Sequence, residues 1–165
     1  MTKRLLLTAL CWLAPGWGWA CGNDNEGDTA DIVACEGSCS CEPETRTCSC
    51  QGGSTCLAEC DGPCTLECEG NARCDIECPA DCTVNCPGTA GCVASVGDDS
   101  SGVCNGTGDC EYFCEGDCSF DCPGASRCIV HCTEDADCEI TSCGGPNGVT
   151  ECEDNVLACR RDCAP

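Results

Sequence analysis

The sequence predicts an all-β, disulfide-rich fold, a thin β-solenoid of 18-residue turns with two short strands in each turn. Three observations lead to it. Cysteine supplies 28 of the 165 residues, far beyond the ~8–10 % that marks a disulfide scaffold. Cys56, Cys74, Cys92, Cys110 and Cys128 stand 18 residues apart, as do Cys68, Cys86, Cys104 and Cys122, and as do Gly52, Gly70, Gly88, Gly106 and Gly124. Columns at one fixed period are the sequence mark of a stacked array. Each unit also reads C-x-Φ-x-C, a short turn, C-x-Φ-x-C and a Gly-containing turn, where Φ is usually apolar; residues 74–91 give CDIEC, PAD, CTVNC and PGTAG.

Alternation at period two sends Cys, Φ and Cys to the same side of an extended strand. The expected inward residues are Ala58, Ile76, Ala94, Tyr112 and Val130 on one strand and Leu66, Val84, Gly102, Phe120 and Ile140 on the other. Helix is disfavoured because Thr, Ser, Gly and Pro dominate the positions between cysteines. From residue 21 onward only 29 of 145 residues are apolar other than Cys, and 11 of these are Ala. A conventional core is therefore excluded, and bridges worth ~2–4 kcal/mol each are expected to replace apolar burial. A string of disulfide-stapled hairpins is the rival architecture, but columns of identical residues fit stacking better. The hexapeptide rhythm and the GGxGxD motif of other 18-residue solenoid turns are absent.

Residues 1–20 read as a signal peptide: Lys3 and Arg4, the largely apolar run Leu5–Leu13, then Pro15 and Gly16 before small residues. The run falls short of the ~20 residues that span a bilayer. Ala20-Cys21 matches the end of a bacterial lipobox, which would make Cys21 a lipidated first residue, while Gly18-Trp19-Ala20 also satisfies ordinary signal peptidase. Without Cys11 and Cys21 the remaining 26 cysteines can all pair, whereas a free Cys21 strands one thiol. Residues 21–34 form an acidic tether, 35–55 an N-terminal Cys-rich cap, 56–145 five 18-residue repeats and 146–165 a C-terminal disulfide cap. After residue 20 there are 5 Arg and no Lys against 29 Asp and Glu. That charge excludes nucleic acid and anionic lipid as partners and favours a cation, a basic protein surface or solvent; membrane association is left to a lipid on Cys21.

The third unit, CVASVGDDSSGVC, has Val96 and Ser100 where its second and third cysteines would stand. Joint loss implies that second pairs with third, which leaves first to pair with fourth across the same turn. The expected bridges are Cys56–Cys68, Cys60–Cys64, Cys74–Cys86, Cys78–Cys82, Cys92–Cys104, Cys110–Cys122, Cys114–Cys118, Cys128–Cys143 and Cys132–Cys138. Pairing between turns stays open, since spacing does not fix connectivity. In the cap, Cys39–Cys50 and Cys41–Cys48 nest around EPETRT, although the two CSC pairs also resemble the CxC pairs with which metallothioneins hold metal. The tail cysteines Cys152, Cys159 and Cys163 are expected to staple the cap, with Cys35 as a candidate partner.

Asp81, Asp99, Asp117 and Asp135 form a further 18-residue column at the end of the short turns. Stacked ~4.8 Å apart, such carboxylates repel in water by ~1 kcal/mol per pair. Bound Ca²⁺ would reverse that sign, with Asp98 or Glu115 as extra ligands; alternatively each Asp bonds its own turn amides. Thr65, Thr83, Ser101 and Ser119 make an outward hydroxyl column, read as a structural ladder. Asn105-Gly106-Thr107 is a glycosylation sequon in a eukaryotic setting. His131 is the sole His, and no nucleophile elbow, phosphate loop or metalloprotease motif accompanies it, so neither an enzyme nor a cofactor other than Ca²⁺ is expected.

Leader, Cys21, acidic tether and CDIECPADCTVNCPG-type repeats together resemble the cysteine-rich repeat lipoproteins of bacterial surfaces, notably those of myxobacteria. The resemblance implies a place at the outer membrane or cell surface, or secretion, and no transferable activity. The sequence thus reads as an exported, non-enzymatic spacer, coat or binding module, with a Ca²⁺-binding protein as the alternative.

Overall fold

The computed structural model describes residues 32–145, 148–159 and 163; the leader, Cys21 and the tether up to residue 31 lie outside them. Among the described residues fifteen strands and no helix follow one another: β1 (Ile32–Gly37), β2 (Cys39–Glu42), β3 (Thr47–Cys50), β4 (Thr55–Cys60), β5 (Thr65–Cys68), β6 (Arg73–Ala80), β7 (Thr83–Gly88), β8 (Gly91–Asp98), β9 (Ser100–Gly106), β10 (Asp109–Cys114), β11 (Cys118–Cys122), β12 (Arg127–Cys132), β13 (Cys138–Cys143), β14 (Val149–Glu151) and β15 (Val156–Cys159). They form an eight-stranded sheet, β1-β4-β6-β8-β10-β12-β15-β14, and a seven-stranded sheet, β13-β11-β9-β7-β5-β3-β2. The chain is a β-solenoid of about five turns, in which each turn adds one strand to each sheet.

Register follows the sequence period. Cys56 pairs with Cys74, Cys74 with Cys92, Cys92 with Cys110 and Cys110 with Cys128, all in parallel. Parallel neighbours need a crossover connection between them, and here the strand of the opposite sheet provides it. Alternating burial puts Ala58, Ile76, Ala94, Tyr112 and Val130 against Leu66, Val84, Gly102 and Phe120 in the interior; Ile140, on the last strand of its sheet, is only half-buried. Antiparallel strands close three of the four sheet edges, and β13 ends the seven-stranded sheet as a parallel edge. β1 runs against β4, β2 folds back on β3, and β15 and β14 cover β12. Such reversals blunt open parallel edges, which otherwise template further pairing. β1 starts at Ile32, so strand structure reaches into the stretch expected to be tether.

Candidate functional site

Thirteen disulfides join all 26 cysteines from Cys35 onward. In the turns they form two spines, one along each corner of the flattened coil. The short corner, where the first sheet passes to the second, is closed by Cys60–Cys64, Cys78–Cys82, Cys114–Cys118 and Cys132–Cys138. Cys50–Cys56, Cys68–Cys74, Cys86–Cys92, Cys104–Cys110 and Cys122–Cys128 close the long corner.

The long-corner spine corrects the expectation of bridges across each turn. Cys56–Cys68, Cys74–Cys86, Cys92–Cys104 and Cys110–Cys122 are not formed; each fourth cysteine joins the first cysteine of the next turn. Only six residues separate those partners, whereas twelve separate the first and fourth of one turn. Dividing the sequence at the Gly turn hid that proximity. The joint absence in the third turn is equally compatible with this pattern, because Cys92 and Cys104 each find a partner in a neighbouring turn. Cys128–Cys143 is likewise replaced, with Cys143 joined to Cys159 and anchoring β15. In the cap Cys41 joins Cys48, but Cys39 joins Cys35 and Cys50 joins Cys56 in place of Cys39–Cys50. The two CSC pairs are thus distributed over three bridges, and Cys35 takes no part in the tail, where Cys152 joins Cys163.

The aspartate column is altered by an insertion. Cys118 stacks on Cys138, twenty residues on rather than eighteen, so Asp137 follows Asp117 in the stack and Asp135 is displaced into the loop. The Asp137 carbonyl accepts the Cys118 N–H at 3.1 Å. Asp81 and Asp99 have φ of 55° and 56°, the left-handed region that Asp tolerates better than most residues. Asp98 Oδ1 accepts the Asp117 N–H at 2.9 Å. These aspartates therefore shape the turns. Among the described residues the only groups of three metal-type ligand atoms within 4.8 Å of one another are cysteine sulfurs, all of them bridged.

The hydroxyl column is continuous. Thr47, Thr65, Thr83, Ser101 and Ser119 share one register row, beside a row of Ser49, Glu67, Asn85, Val103 and Asp121. The sequon residues Asn105 and Thr107 are exposed, and the Thr107 N–H is donated to the Gly88 carbonyl at 2.7 Å. His131, on the outer face of β12, lies with Nε2 3.0 Å from Glu111 Oε1 and its ring stacked on Phe113 at 4.6 Å. Phe113 and His131 are 18 residues apart and in register, so the period already places them side by side. In the core the Tyr112 hydroxyl is fully buried without a partner, and burial raises the pKa of its phenol.

A groove of about 630 Å³ is an open furrow across successive long corners, lined by Asn71, Arg73, Thr89, Thr107, Asp109 and Arg127 among others. Thr89 Oγ1 donates to the Gly70 carbonyl at 2.9 Å and to Asn71 Oδ1, and Ser126 Oγ to the Thr107 carbonyl at 2.7 Å, so these hydroxyls are spent on turn-to-turn contacts. Fold and site together define a disulfide-stapled β-solenoid. Comparison of the chain with protein-family models, curated proteins and solved structures found no match.

Proposed function

We propose that this protein is an exported, non-enzymatic module of the cell surface, a rigid acidic spacer or coat element tethered through a lipid on Cys21. The single observation that carries the reading is the complete pairing of 26 cysteines in thirteen bridges, a state that persists in oxidising compartments and not in a thiol-buffered cytosol. Dense stapling gives stiffness to a chain with little apolar core. The acidic surface keeps it soluble and repels phosphate-bearing polymers. The non-enzymatic reading rests on the sequence, which has one His and no Lys after residue 20. The leader and Cys21 supply the route, and an acidic segment between Cys21 and β1 supplies the tether.

Fractionation of cells carrying the natural chain and Cys21→Ser tests this. The natural form is expected in the membrane fraction and accessible to added protease at the surface, and Cys21→Ser in the medium or periplasm. A soluble distribution of both forms would establish an unlipidated secreted protein, and recovery of both in the cytosol would overturn export. Calcium titration calorimetry separates this reading from a Ca²⁺-binding protein: heat and a raised melting temperature at millimolar Ca²⁺ would favour the latter.

A further inference from the structure

We propose that Cys78 is the acceptor of an intramolecular thiol–disulfide exchange that re-pairs the short corners of the first two turns, from across the corner to along the sheets. Cys64 Sγ lies 3.5 Å from Cys78 Sγ, although each is bonded to another partner. The sulfurs of Cys60, Cys64 and Cys78 all lie within 4.8 Å of one another. Register supplies the alternative partners. Beyond the pair Glu59–Glu77, Cys60 stands beside Cys78. Thr65 pairs with Thr83, whose N–H is donated to the Cys64 carbonyl, so Cys64 stands beside Cys82. Neighbouring strands lie ~4.8 Å apart, inside the Cα separation that a disulfide spans. By Cα separation, both Cys60–Cys78 and Cys64–Cys82 are within the reach of a disulfide.

The exchange starts when a dithiol reductant opens Cys60–Cys64 and is itself oxidised to a disulfide. Of the four residues Cys60 is the most accessible, 8 % exposed against 1 % for Cys82. The Cys60 thiol loses its proton to solvent and the thiolate attacks Cys78 Sγ. The Cys60–Cys78 bond forms, the Cys78–Cys82 bond breaks, and its electron pair leaves on Cys82, which is protonated by solvent. No electrons are gained or lost in this step. The remaining dithiol is now Cys64 and Cys82, side by side on neighbouring strands. The exchange does not pass the third turn, where Val96 and Ser100 replace the bridge. In the fourth turn the sulfurs of Cys114 and Cys118 form no such cluster among the described residues.

The test uses the full, oxidised chain carrying Cys64→Ser, which leaves Cys60 as one thiol. After incubation at mildly alkaline pH, acid quenching, alkylation and non-reducing peptide mapping, most of the label is expected on Cys82, together with a Cys60–Cys78 linked peptide. Label confined to Cys60 with Cys78–Cys82 intact would overturn the proposal. In Cys118→Ser the label is expected to stay on Cys114; label spread over many cysteines would show general scrambling and would overturn it as well. Should Cys64→Ser not fold, the natural oxidised chain treated with limiting dithiothreitol gives the same readout. A linked Cys60–Cys78 peptide with label on Cys64 and Cys82 is then expected, and recovery of an intact Cys78–Cys82 bridge beside reduced Cys60 and Cys64 would overturn the proposal.

Discussion

In the turn that begins at Cys74 the short corner is closed by Cys78–Cys82, and Ile76 and Val84 fill the interior. In the next turn Val96 and Ser100 stand in the two cysteine positions, and Ala94 and Gly102 replace the branched pair. Both turns keep the same register. Val96 and Ser100 are as buried as the cysteines they replace. Ser100 Oγ accepts the Cys82 N–H at 3.2 Å and donates to the Asp98 carbonyl at 3.4 Å. The space that Gly102 leaves is taken from the following turn by Tyr112 and Phe120, whose rings stack at 4.4 Å. A solenoid turn can thus be held by a covalent staple or by volume borrowed from its neighbour, because stacked turns share one continuous interior.

The largest effect is expected where that borrowed volume is refused. A Cβ on Gly102 would lie 2.7 Å from Phe120 Cδ1 and 2.9 Å from Tyr112 Cε1, so Gly102→Val should cost about 3 kcal/mol by overpacking. Denaturant melting with bridges intact checks this, and an unchanged midpoint would show that the rings have room to move aside. Removing a staple comes next. Cys78→Val with Cys82→Ser gives turn two the residues of turn three, and closing so short a loop is worth roughly 2 kcal/mol. Peptide mapping of that variant should still find Cys68 joined to Cys74 and Cys86 to Cys92; a Cys74–Cys86 peptide would restore the pairing across each turn.

The converse change, Val96→Cys with Ser100→Cys, should complete the short-corner spine. Its gain should be about 1 kcal/mol, since the new staple is offset by the lost Val burial and hydroxyl bonds. Alkylation should detect no added free thiol. Tyr112→Phe is expected to have the smallest effect at neutral pH, a gain of up to about 1 kcal/mol from removing a buried hydroxyl without a partner. It also carries a pH signature. Burial raises the Tyr112 pKa in the folded state, so above pH ~10 the unfolded chain releases this proton first and the natural protein loses stability as pH rises. Tyr112→Phe should flatten that alkaline limb of a melting-versus-pH series, and an unchanged limb would assign it to other groups.

Much of the fold was legible because one period sets both the stacking and the facing of residues. The columns at Cys56, Cys74 and Cys92 became register pairs, and the apolar centres from Ala58 to Phe120 became the interior. The candidate sites were less so. A count of 18 placed Asp135 under Asp117, but the strand that stacks there starts two residues late, at Cys138, and brings Asp137 instead. The His131, Phe113 and Glu111 contact was half visible, since the period aligns the two rings while the diagonal to Glu111 depends on side-chain direction.

By itself the sequence determined an all-β stack of 18-residue turns, a thin core and a cysteine complement fit for complete pairing, since alternation, period and composition are properties of the chain read along its length. Only the tertiary structure decided which cysteine meets which. In a coil the end of one turn and the start of the next lie at the same corner, with Cys68 and Cys74 only 6.2 Å apart between Cα atoms, and that closeness comes from the climb of the coil rather than from the spacing inside any one repeat.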